Sequence, residues 1–317
     1  MYTYNQSDVN ETFRIFEVPQ TAYEEEESLG TKEKFWFSHP ELGRCLYKKN
    51  RSNIAGEDWS EKIAAELCSL LGLPHAQYEL AIYNGEYGVI SPSFRPENGD
   101  LVHGNQILAE IDPDYPENSQ DLSQHNVNAV FDAFDWLEIE HSEVFQPVDW
   151  KPPNHVEKVH HTFVGYLLLD AWIGNSDRHH ENWGFVALEN QLYLAPTYDH
   201  ASSLGRNESD EKREKRLRTK DKGYSVTAYA DRCLSYFYNH ADNKQRIKTF
   251  EAFCLAAKRY PEAASTWIEH LNQILVDDIL DLLQRIPPNR ISPVAIEFAQ
   301  TMLMHNREKL IEYSDQL

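Results

Sequence analysis

Residues 174–205 read GNSDRHHENWGFVALENQLYLAPTYDHASSLG and contain two short apolar runs between polar segments. The runs WGFVAL (183–188) and QLYLAP (191–196) are rich in apolar and aromatic residues, a composition that favours β-strands. Glu189 and Asn190 lie between the runs and indicate a tight turn. The sequence therefore predicts an antiparallel hairpin in this stretch.

The open end of this hairpin is expected to gather three side chains that carry oxygen. In an antiparallel hairpin with this turn, residue 182 faces roughly residue 197. Asn182, just before the first strand, and Asp199, just after the second, therefore become neighbours. Asp177 lies in the preceding loop, a few residues from both, so two carboxylates and a carboxamide converge.

Such a trio suits phosphoryl transfer. One Asp and one Asn can hold Mg²⁺ while nucleotide phosphates fill its remaining positions, because this ion prefers hard oxygen ligands. A separate Asp must orient the attacking hydroxyl and accept its proton. Asp177 and Asn182 have the D-x-x-x-x-N spacing of protein kinases, and Asp199 follows a hairpin as a second metal ligand would. Asp and Asn also cap helices and form turns, and the hairpin together with Asp199 favours the kinase interpretation.

A cation for the nucleotide phosphates is expected on the strand candidate GRCLYKK (43–49). Kinase catalysis needs such a cation, fixed by an acid on a neighbouring helix. Lys48 fits this role, and Glu61 lies on the next helix, where Asp58 and Glu61 also have capping-box spacing. Lys49 is the adjacent alternative, because strand alternation lets only one of the two lysines point inward.

A phosphate-binding turn is expected at SLGTK (28–32), where Gly30 would let backbone amides approach phosphate oxygens. Thr31 and Lys34 belong to the same candidate nucleotide site. A plain hairpin turn explains the single glycine about as well, and the four glutamates at 24–27 oppose phosphate binding.

The chain changes character near residue 95. The first part reads as short strands with one helix: KFWFSH (34–39) and GRCLYKK (43–49) are strand candidates, and YELAIY (78–83) and YGVIS (87–91), split by Asn84 and Gly85, predict a hairpin. The segment SPSFRPENGD (91–100) reads as a linker. Helices are expected mainly at 155–174, 243–259, 261–285 and 292–314. The sequence thus predicts an α+β, bilobal protein-kinase-like fold. A small β-rich N-lobe would cover residues 1–95 and a larger, mostly helical C-lobe residues 96–317, with a cleft between them.

The charge of the chain restricts its partners. The 317 residues carry a net charge of −21, and residues 1–150 hold 28 acidic and 9 basic side chains. Residues 101–150 contain 11 acids and no Lys or Arg. An acidic surface repels phosphate backbones and anionic lipids, so direct nucleic-acid binding and membrane binding are disfavoured. A basic partner, or solubility alone, fits better.

The cysteines and the N-terminus indicate a cytoplasmic protein. The four cysteines are widely spaced without a C-x-x-C pair, which argues against a disulfide scaffold and a cysteine zinc site. The N-terminus lacks the basic and apolar regions of a signal peptide, and no apolar run approaches the length of a membrane span.

These motifs together resemble the HipA-like serine/threonine kinases, bacterial toxin-type kinases distantly akin to phosphoinositide kinases and eukaryotic protein kinases. Their catalytic and metal-binding block is similar to IGNSDRHHENWGF…LAPTYDHASSLG, and their phosphate loop is similar to GTKEKFWF. Their strand lysine with its following helix is similar to LYKKNR…GEDWSEKIAAELCSLLGLP, and their helical end to RIPPNRISPVAIEFAQTMLMHNREKL (285–310). The chain looks like the short, standalone members of this family.

The resemblance implies an ATP- and Mg²⁺-dependent phosphotransferase that acts on a protein Ser or Thr. It implies that Asp177 is the catalytic Asp and that Asn182 and Asp199 are the metal ligands. It also implies that Lys48 contacts the α- and β-phosphates and pairs with Glu61.

Further roles follow from the same resemblance. His179 would be the histidine beside the catalytic Asp, either fixing the loop or transferring a proton, and His180 has no matching role. Residues 86–97 would form the hinge against the adenine. The basic segment 206–223 stands where kinases place an activation or substrate segment, and a solvated helix of alternating charges is the alternative.

The implied partners are a protein substrate, such as a translation factor or an aminoacyl-tRNA synthetase, and a small antitoxin. The toxin kinases carry an inhibitory autophosphorylated serine just before the loop glycine, whereas Glu27 stands at about that place here. Two alternatives remain open for the function. One is a phosphoinositide or small-molecule kinase, since lipid kinases share the DRH tripeptide, and the other is an ATP-binding pseudokinase.

Overall fold

The structure, a computed structural model, describes residues 11–26, 33–116, 122–141, 144–240 and 243–317. Its strands are β1 (Ile15–Glu17), β2 (Glu25–Glu26), β3 (Lys34–His39), β4 (Gly43–Lys49), β5 (Glu79–Tyr83), β6 (Glu86–Pro92), β7 (Asp100–His103), β8 (Val144–Phe145), β9 (Gly184–Leu188), β10 (Gln191–Leu194), β11 (Leu234–His240) and β12 (Asn243–Lys248). Its helices are α1 (Glu57–Leu71), α2 (Gly104–Ile111), α3 (Val127–Glu140), α4 (Val159–Ile173), α5 (Asp210–Arg218), α6 (Val226–Ala230), α7 (Thr249–Arg259), α8 (Pro261–Gln273), α9 (Val276–Gln284) and α10 (Pro293–Tyr313). A sheet-rich first part and a mainly helical second part confirm the predicted α+β fold class.

The first part of the chain is built on one six-stranded sheet. Its order is β1-β5-β6-β4-β3-β2, and the neighbours are antiparallel apart from the parallel pair β1 and β5. Asn84 and Gly85 have φ angles of 53° and 79°, which closes the predicted tight hairpin between β5 and β6. One face of the sheet buries a cluster that includes Phe35, Phe37 and Tyr47. Helix α1 packs on β5 and β6.

Helix α1 starts differently from the sequence prediction. Gly56 is its N-cap residue with a φ of 69°, a left-handed conformation that glycine adopts without steric cost. The capping-box interpretation of Asp58 and Glu61 is therefore wrong, because both residues lie inside the helix. Their carboxylates contact distant groups instead, namely the guanidinium of Arg290 and the backbone N–H of His200.

Helix α4 is the central element of the helical part. It is buried on every side from Thr162 to Ile173, with α7, α8 and α10 packed around it. A helix that is apolar all round must be enclosed by protein. Gly174 ends it with a φ of 63°, at the residue where the sequence predicts the end. Within the described residues, no helix is long and apolar enough to cross a membrane.

A small four-stranded sheet combines β7 and β8, which precede α4, with β9 and β10, which follow it, in the order β7-β9-β10-β8. It contains the predicted hairpin, in which β9 pairs with β10 and Phe185 lies opposite Leu194. Glu189 and Asn190 form its turn with φ angles of 50° and 66°. This is the register that the predicted turn implies.

Two of the predicted helices are shorter in the structure than the sequence predicts. The segment from Asn243 to Lys248 is strand β12, paired with β11, and the helix begins only at Thr249. Its side chains alternate in burial, since Ile247 is buried between partly exposed Arg246 and Lys248, and alternation is a strand pattern. The predicted helix 261–285 is interrupted between α8 and α9. There Arg307 donates to the carbonyl oxygens of Asn272 and Ile274, which satisfies groups at the break.

A buried ion pair joins α1 to the segment before α10. Arg290 contacts the carboxylate of Asp58, and both side chains are at most 2% exposed. Arg290 also donates to the carbonyl oxygen of Ala81 over 2.9 Å and lies 3.7 Å from the centre of the Tyr87 ring. This arginine therefore clamps the sheet, α1 and the C-terminal helices together.

We expect the substitution Arg290→Gln to lower the free energy of unfolding by about 3–5 kcal/mol, because it leaves the Asp58 carboxylate buried without its countercharge. Urea unfolding followed by circular dichroism measures this loss. The matched control is Arg14→Gln, which breaks the exposed pair with Glu41 and should hardly move the midpoint. Equal midpoints for the two variants would contradict the assignment of Arg290 as a clamp.

Candidate active site

The loop between α4 and β9 is held by a buried arginine. Arg178 is 1% exposed and grips both carboxylate oxygens of Asp170, with Nε and Nη2 at 2.8 and 2.7 Å. Its Nη1 donates to the carbonyl oxygen of Asn182 over 3.0 Å, and Asn175 Nδ2 adds a bond to Asp170 over 2.8 Å. A bidentate guanidinium fixes direction as well as distance. The loop that carries Asp177 is therefore attached rigidly to the end of α4.

The loop brings Asp177 and Asn182 together. Asn182 Nδ2 donates to the backbone oxygen of Asp177 over 2.6 Å, so the asparagine side chain closes the loop on itself. Ser202 Oγ donates to Oδ2 of Asp177 over 3.4 Å. The Asp177 side chain is partly exposed, whereas Asn182 is 6% exposed. A carboxylate that is fixed by a hydrogen bond and remains partly exposed can accept a proton from a bound group.

Asp199, in the segment after β10, has an unusual backbone. Its φ is 59°, in the left-handed region that costs a residue other than glycine free energy. Its N–H donates to the hydroxyl oxygen of Tyr78 over 3.1 Å, and its Oδ2 lies 3.2 Å from Nζ of Lys48. Backbone strain of this kind persists where the surroundings fix a conformation, often at functional sites.

Lys48 is the strand lysine that faces the candidate site. Its side chain is 13% exposed, and its Nζ contacts both Asp199 and the hydroxyl of Tyr78, the latter at 3.3 Å. Burial opposes the charge of Lys48, but Asp199, Tyr78 and Glu61 outweigh it and hold its pKa well above the usual value. Lys49 points the other way, with its Nζ 3.3 Å from Glu33.

Glu61 connects α1 to the segment around Asp199. Its Oε1 accepts the N–H of His200 over 2.6 Å and lies 3.7 Å from Nδ1 of the same ring. Ser60 Oγ lies 3.2 Å from the carbonyl oxygen and 3.0 Å from the hydroxyl oxygen of Ser203. The carboxylate of Glu61 also attracts the charged amine of Lys48, in addition to the direct contact between Lys48 and Asp199. The position of α1 is therefore coupled to the Asp199 segment.

Three histidines near the site form hydrogen bonds that fix the local structure. His180 is buried against the hydroxyl of Tyr115 at 2.9 Å, and burial lowers its pKa to about 4. His200 is buried beside Thr197 at 2.7 Å, and burial also lowers its pKa well below the usual value. His179 Nδ1 accepts the N–H of Glu181 over 3.2 Å, which favours its loop-fixing role. Neutral imidazoles at His180 and His200 suit their buried positions.

The nucleotide side of the site is only partly described. Gly30 and Thr31 of the predicted phosphate loop lie outside the described residues. Lys34, at the start of β3, lies directly opposite Lys48 in the β3–β4 register. Side chains directly opposite each other in an antiparallel pair share a face, and like charges there repel. Two lysines on one face are a favourable arrangement when an anion lies between them.

The predicted hinge, residues 86–97, comprises the whole of β6 and the segment after it. Phe94 stacks on Tyr198 with ring centres 5.6 Å apart, next to the Asp199 segment. The N–H of Ser93 donates to the carbonyl oxygen of Arg44 over 2.8 Å. The segment after β6 therefore packs on Tyr198, the residue before Asp199.

Two important groups were missed from the sequence. Tyr78 contacts both Lys48 and Asp199, and nothing in its local pattern distinguishes it from other strand tyrosines. The pair of Asp170 and Arg178 had a usable signal, because an acid in the otherwise apolar run of α4 needs a buried partner.

The donor set around the site fits a hard cation. Asn182 and Asp199 supply amide and carboxylate oxygen, the ligand types that Mg²⁺ takes together with phosphates. Within the described ranges, no cluster of three or more His, Cys, Asp or Glu side chains is arranged to hold a metal ion by protein ligands alone.

A sheet lysine, a helix packed on that sheet and a hairpin that precedes an aspartate define a protein-kinase-like fold. Comparison with solved structures identifies it more specifically as the HipA-like kinase fold. The Helicobacter pylori proinflammatory kinase CtkA superposes with a TM-score of 0.70 at 20% identity, over 92% of this chain and 93% of that chain. A chain of the Shewanella oneidensis MR-1 toxin–antitoxin complex of HipA, HipB and operator DNA gives 0.53 at 14% identity, over 93% of this chain and 68% of that chain. No protein-family model and no curated protein matches the chain in sequence. The predicted resemblance is thus confirmed for the fold.

The left-handed backbone at Asp199 gives a direct test of strain. We expect the variant Asp199→Gly to be more stable than Asp199→Ala by about 1 kcal/mol, because glycine adopts positive φ without steric cost. Both variants remove the same carboxylate, so the effect on Lys48 cancels in the comparison. Thermal unfolding of the two proteins measures the difference. A glycine variant that is no more stable than the alanine variant would argue against a strained backbone at this position.

Proposed function

We propose that this chain is an ATP- and Mg²⁺-dependent kinase that phosphorylates a serine or threonine of a protein. The observation that carries the proposal is the ion pair between Lys48 and Asp199 beside the loop of Asp177 and Asn182. A partly buried lysine that stays charged is suited to phosphate oxygens. The HipA-like kinase fold of the chain supports the same conclusion.

In this proposal the residues divide the work by position. Lys48 binds the α- and β-phosphates of ATP, and Lys34 on the same sheet face adds positive charge. Asn182 and Asp199 would hold Mg²⁺, which would supply positive charge against the phosphates of ATP. Asp177 accepts the proton of the substrate hydroxyl while that oxygen bonds to the γ-phosphorus. The bond from this phosphorus to the β–γ bridging oxygen breaks, and ADP leaves with that oxygen.

The proposed activity is tested with purified protein, γ-labelled ATP and Mg²⁺, offered to the protein itself and to a cell lysate. Label transferred to serine or threonine supports the proposal. Absence of transfer to any protein, with Asp177→Asn behaving identically, would overturn it. Thermal stabilisation by ATP and Mg²⁺ without any turnover would identify an ATP-binding pseudokinase instead.

We expect Asp177→Asn to reduce the rate of phosphoryl transfer about 10²–10⁴-fold, because a general base contributes about that factor. The amide keeps the shape of the side chain and its contact with Ser202, so binding of ATP and Mg²⁺ should persist. Initial rates with saturating ATP give the first quantity, and the shift of the unfolding temperature with ATP gives the second. A variant that transfers phosphate at the wild-type rate would exclude Asp177 as the base.

The two neighbouring lysines provide a matched comparison. We expect Lys48→Met to weaken ATP binding about 10-fold or more, since a lost charged hydrogen bond costs about 1.5–3 kcal/mol. Lys49→Met removes the same charge from the opposite face of β4, where the lysine pairs with Glu33, and should leave ATP binding unchanged. Calorimetric titration with ATP and Mg²⁺ distinguishes the variants. Loss of binding in the Lys49 variant alone would reverse the assignment.

A small protein partner is also proposed, on narrower grounds. The HipA structure that shares this fold was solved with HipB and operator DNA. We infer that this chain has an antitoxin-like partner that binds DNA in its place, since its own charge of −21 disfavours contact with phosphate backbones. Co-purification of a protein encoded beside this chain supports the inference. Direct, salt-resistant binding of DNA by this chain alone contradicts it.

A further inference from the structure

A cavity of about 550 Å³ opens beside the proposed catalytic aspartate, on the side of the helical part. Four arginines line it, Arg206, Arg216, Arg232 and Arg246, together with Ser176 and Ser202. None of the residues that line it in the described structure is acidic. Such a lining is unexpected in a chain that carries a net charge of −21. The cavity is therefore a local concentration of positive charge.

Two of the arginines are held in place through neutral groups. Arg232 donates to the carbonyl oxygens of Ala228 over 2.7 Å and of Gly223 over 2.6 Å. Its neighbour Asp231 is bound to Lys309 over 2.7 Å instead. Carbonyl oxygens orient a guanidinium without cancelling its charge. Arg232 therefore keeps a full charge in the cavity wall.

Arg246 shows the same pattern. It donates to the carbonyl oxygens of Ser235 over 2.6 Å and of Ser176 over 3.1 Å, and it lies 4.4 Å from the centre of the Tyr236 ring. Across the described residues, neither Arg232 nor Arg246 forms an ion pair with a carboxylate. The cavity thus contains two ordered guanidinium groups whose charge is not neutralised by the described part of the chain.

The other two arginines are partly neutralised at the edge of the cavity. Arg206 lies 3.4 Å from Glu57 of α1, and Arg216 lies 2.7 Å from Glu208. Both remain close enough to add to the local potential. The net charge of the cavity is therefore positive, with Arg232 and Arg246 as its principal source.

The cavity shares a wall with the proposed acceptor position. Ser202 lines the cavity and donates to the carboxylate of Asp177 over 3.4 Å. Ser176 lines it too and directly precedes Asp177 in the chain. A polypeptide whose hydroxyl reaches Asp177 would therefore place a neighbouring side chain at the cavity.

We propose that this cavity binds an anionic side chain of the protein substrate, a carboxylate or a phosphate on a residue close to the acceptor Ser or Thr. The inference rests on the proposed kinase function and specifies its substrate class. Guanidinium groups match both oxyanions by paired hydrogen bonds. A volume of about 550 Å³ accommodates a side chain with its flanking backbone.

The test uses three mixtures of short peptides, each with one acceptor serine. The flanking positions contain neutral residues in the first mixture and Asp and Glu in the second. In the third they contain phosphoserine, which has no free hydroxyl and cannot act as a second acceptor. We expect kcat/KM to be about 10-fold or more higher for at least one anionic mixture than for the neutral one. The second and third mixtures tell a carboxylate from a phosphate. Equal kcat/KM values for all three would overturn the inference.

A pair of arginine variants assigns the preference to the cavity. Arg232→Gln should reduce the anionic-to-neutral ratio of kcat/KM at least about threefold, mainly through KM. Arg218→Gln is the matched control, since Arg218 is exposed, pairs with Glu297 and lies outside the cavity. It should leave the ratio unchanged. An equal loss in both variants would show a general charge effect and contradict the cavity as the site.

Direct binding separates this inference from the proposed function. The fluorescent probes are the two anionic peptide mixtures with the acceptor serine replaced by alanine, and their anisotropy is measured without ATP. Binding that weakens in Arg232→Gln supports the cavity even where neither a peptide nor any lysate protein is phosphorylated, an outcome that would overturn the kinase proposal alone. Phosphorylation without preference for anionic peptides would overturn this inference alone.

Discussion

A buried guanidinium, that of Arg178, determines the shape of the loop on which the site depends. Arg178 and Asp170 are both less than 5% exposed, and the side chain of one fixes the other through two parallel hydrogen bonds. Removing either partner would leave an unpaired charge in a low-dielectric interior, which is much more costly than losing a surface pair. The pair stands at the end of α4, the helix with the most completely buried surroundings. The rigid core is thus continued into the loop of Asp177 and Asn182.

The second part of the site depends on the first turns of α1. Four polar residues there, Glu57, Asp58, Ser60 and Glu61, are buried and contact groups far away in the chain. Three of those contacts reach the segment of residues 200–206, directly after Asp199. A shift of α1 would therefore move the segment that orients Asp199, while Lys48 pairs with the same Asp199 from the sheet.

Local patterns were sufficient for much of this architecture. The strands β3 to β6, the end of α4 at Gly174 and the turn at Glu189 and Asn190 follow from periodicity and turn chemistry. The observed register of that hairpin, with Phe185 opposite Leu194, is the one that the predicted turn implies. These features depend on residues within one or two turns of each other, and short-range physics determines them.

The predictions were wrong where contacts between residues far apart in the sequence determine the local structure. Asp58 looked like a helix cap, but Arg290, more than two hundred residues away, is its partner. Strand β12 looked helical, because its pairing with β11 is invisible in the local sequence. Tyr78 belongs to the site only because the fold brings Lys48 and Asp199 to it. Lys48 and Lys49 could not be separated by spacing, and the structure distinguishes them by their carboxylate partners, Asp199 and Glu33.

The charge of the whole chain and the charge of its cavities act on different length scales. At physiological ionic strength, charges separated by more than about 8 Å in water are largely screened. The acidic excess of residues 1–150 therefore sets solubility and discourages extended polyanions, which must lie along a large surface. A single anionic side chain that entered the arginine-lined cavity would meet Arg232 and Arg246 at contact distance, well within that screening length. A strongly acidic protein can in this way select an anionic segment of a protein and still reject nucleic acid.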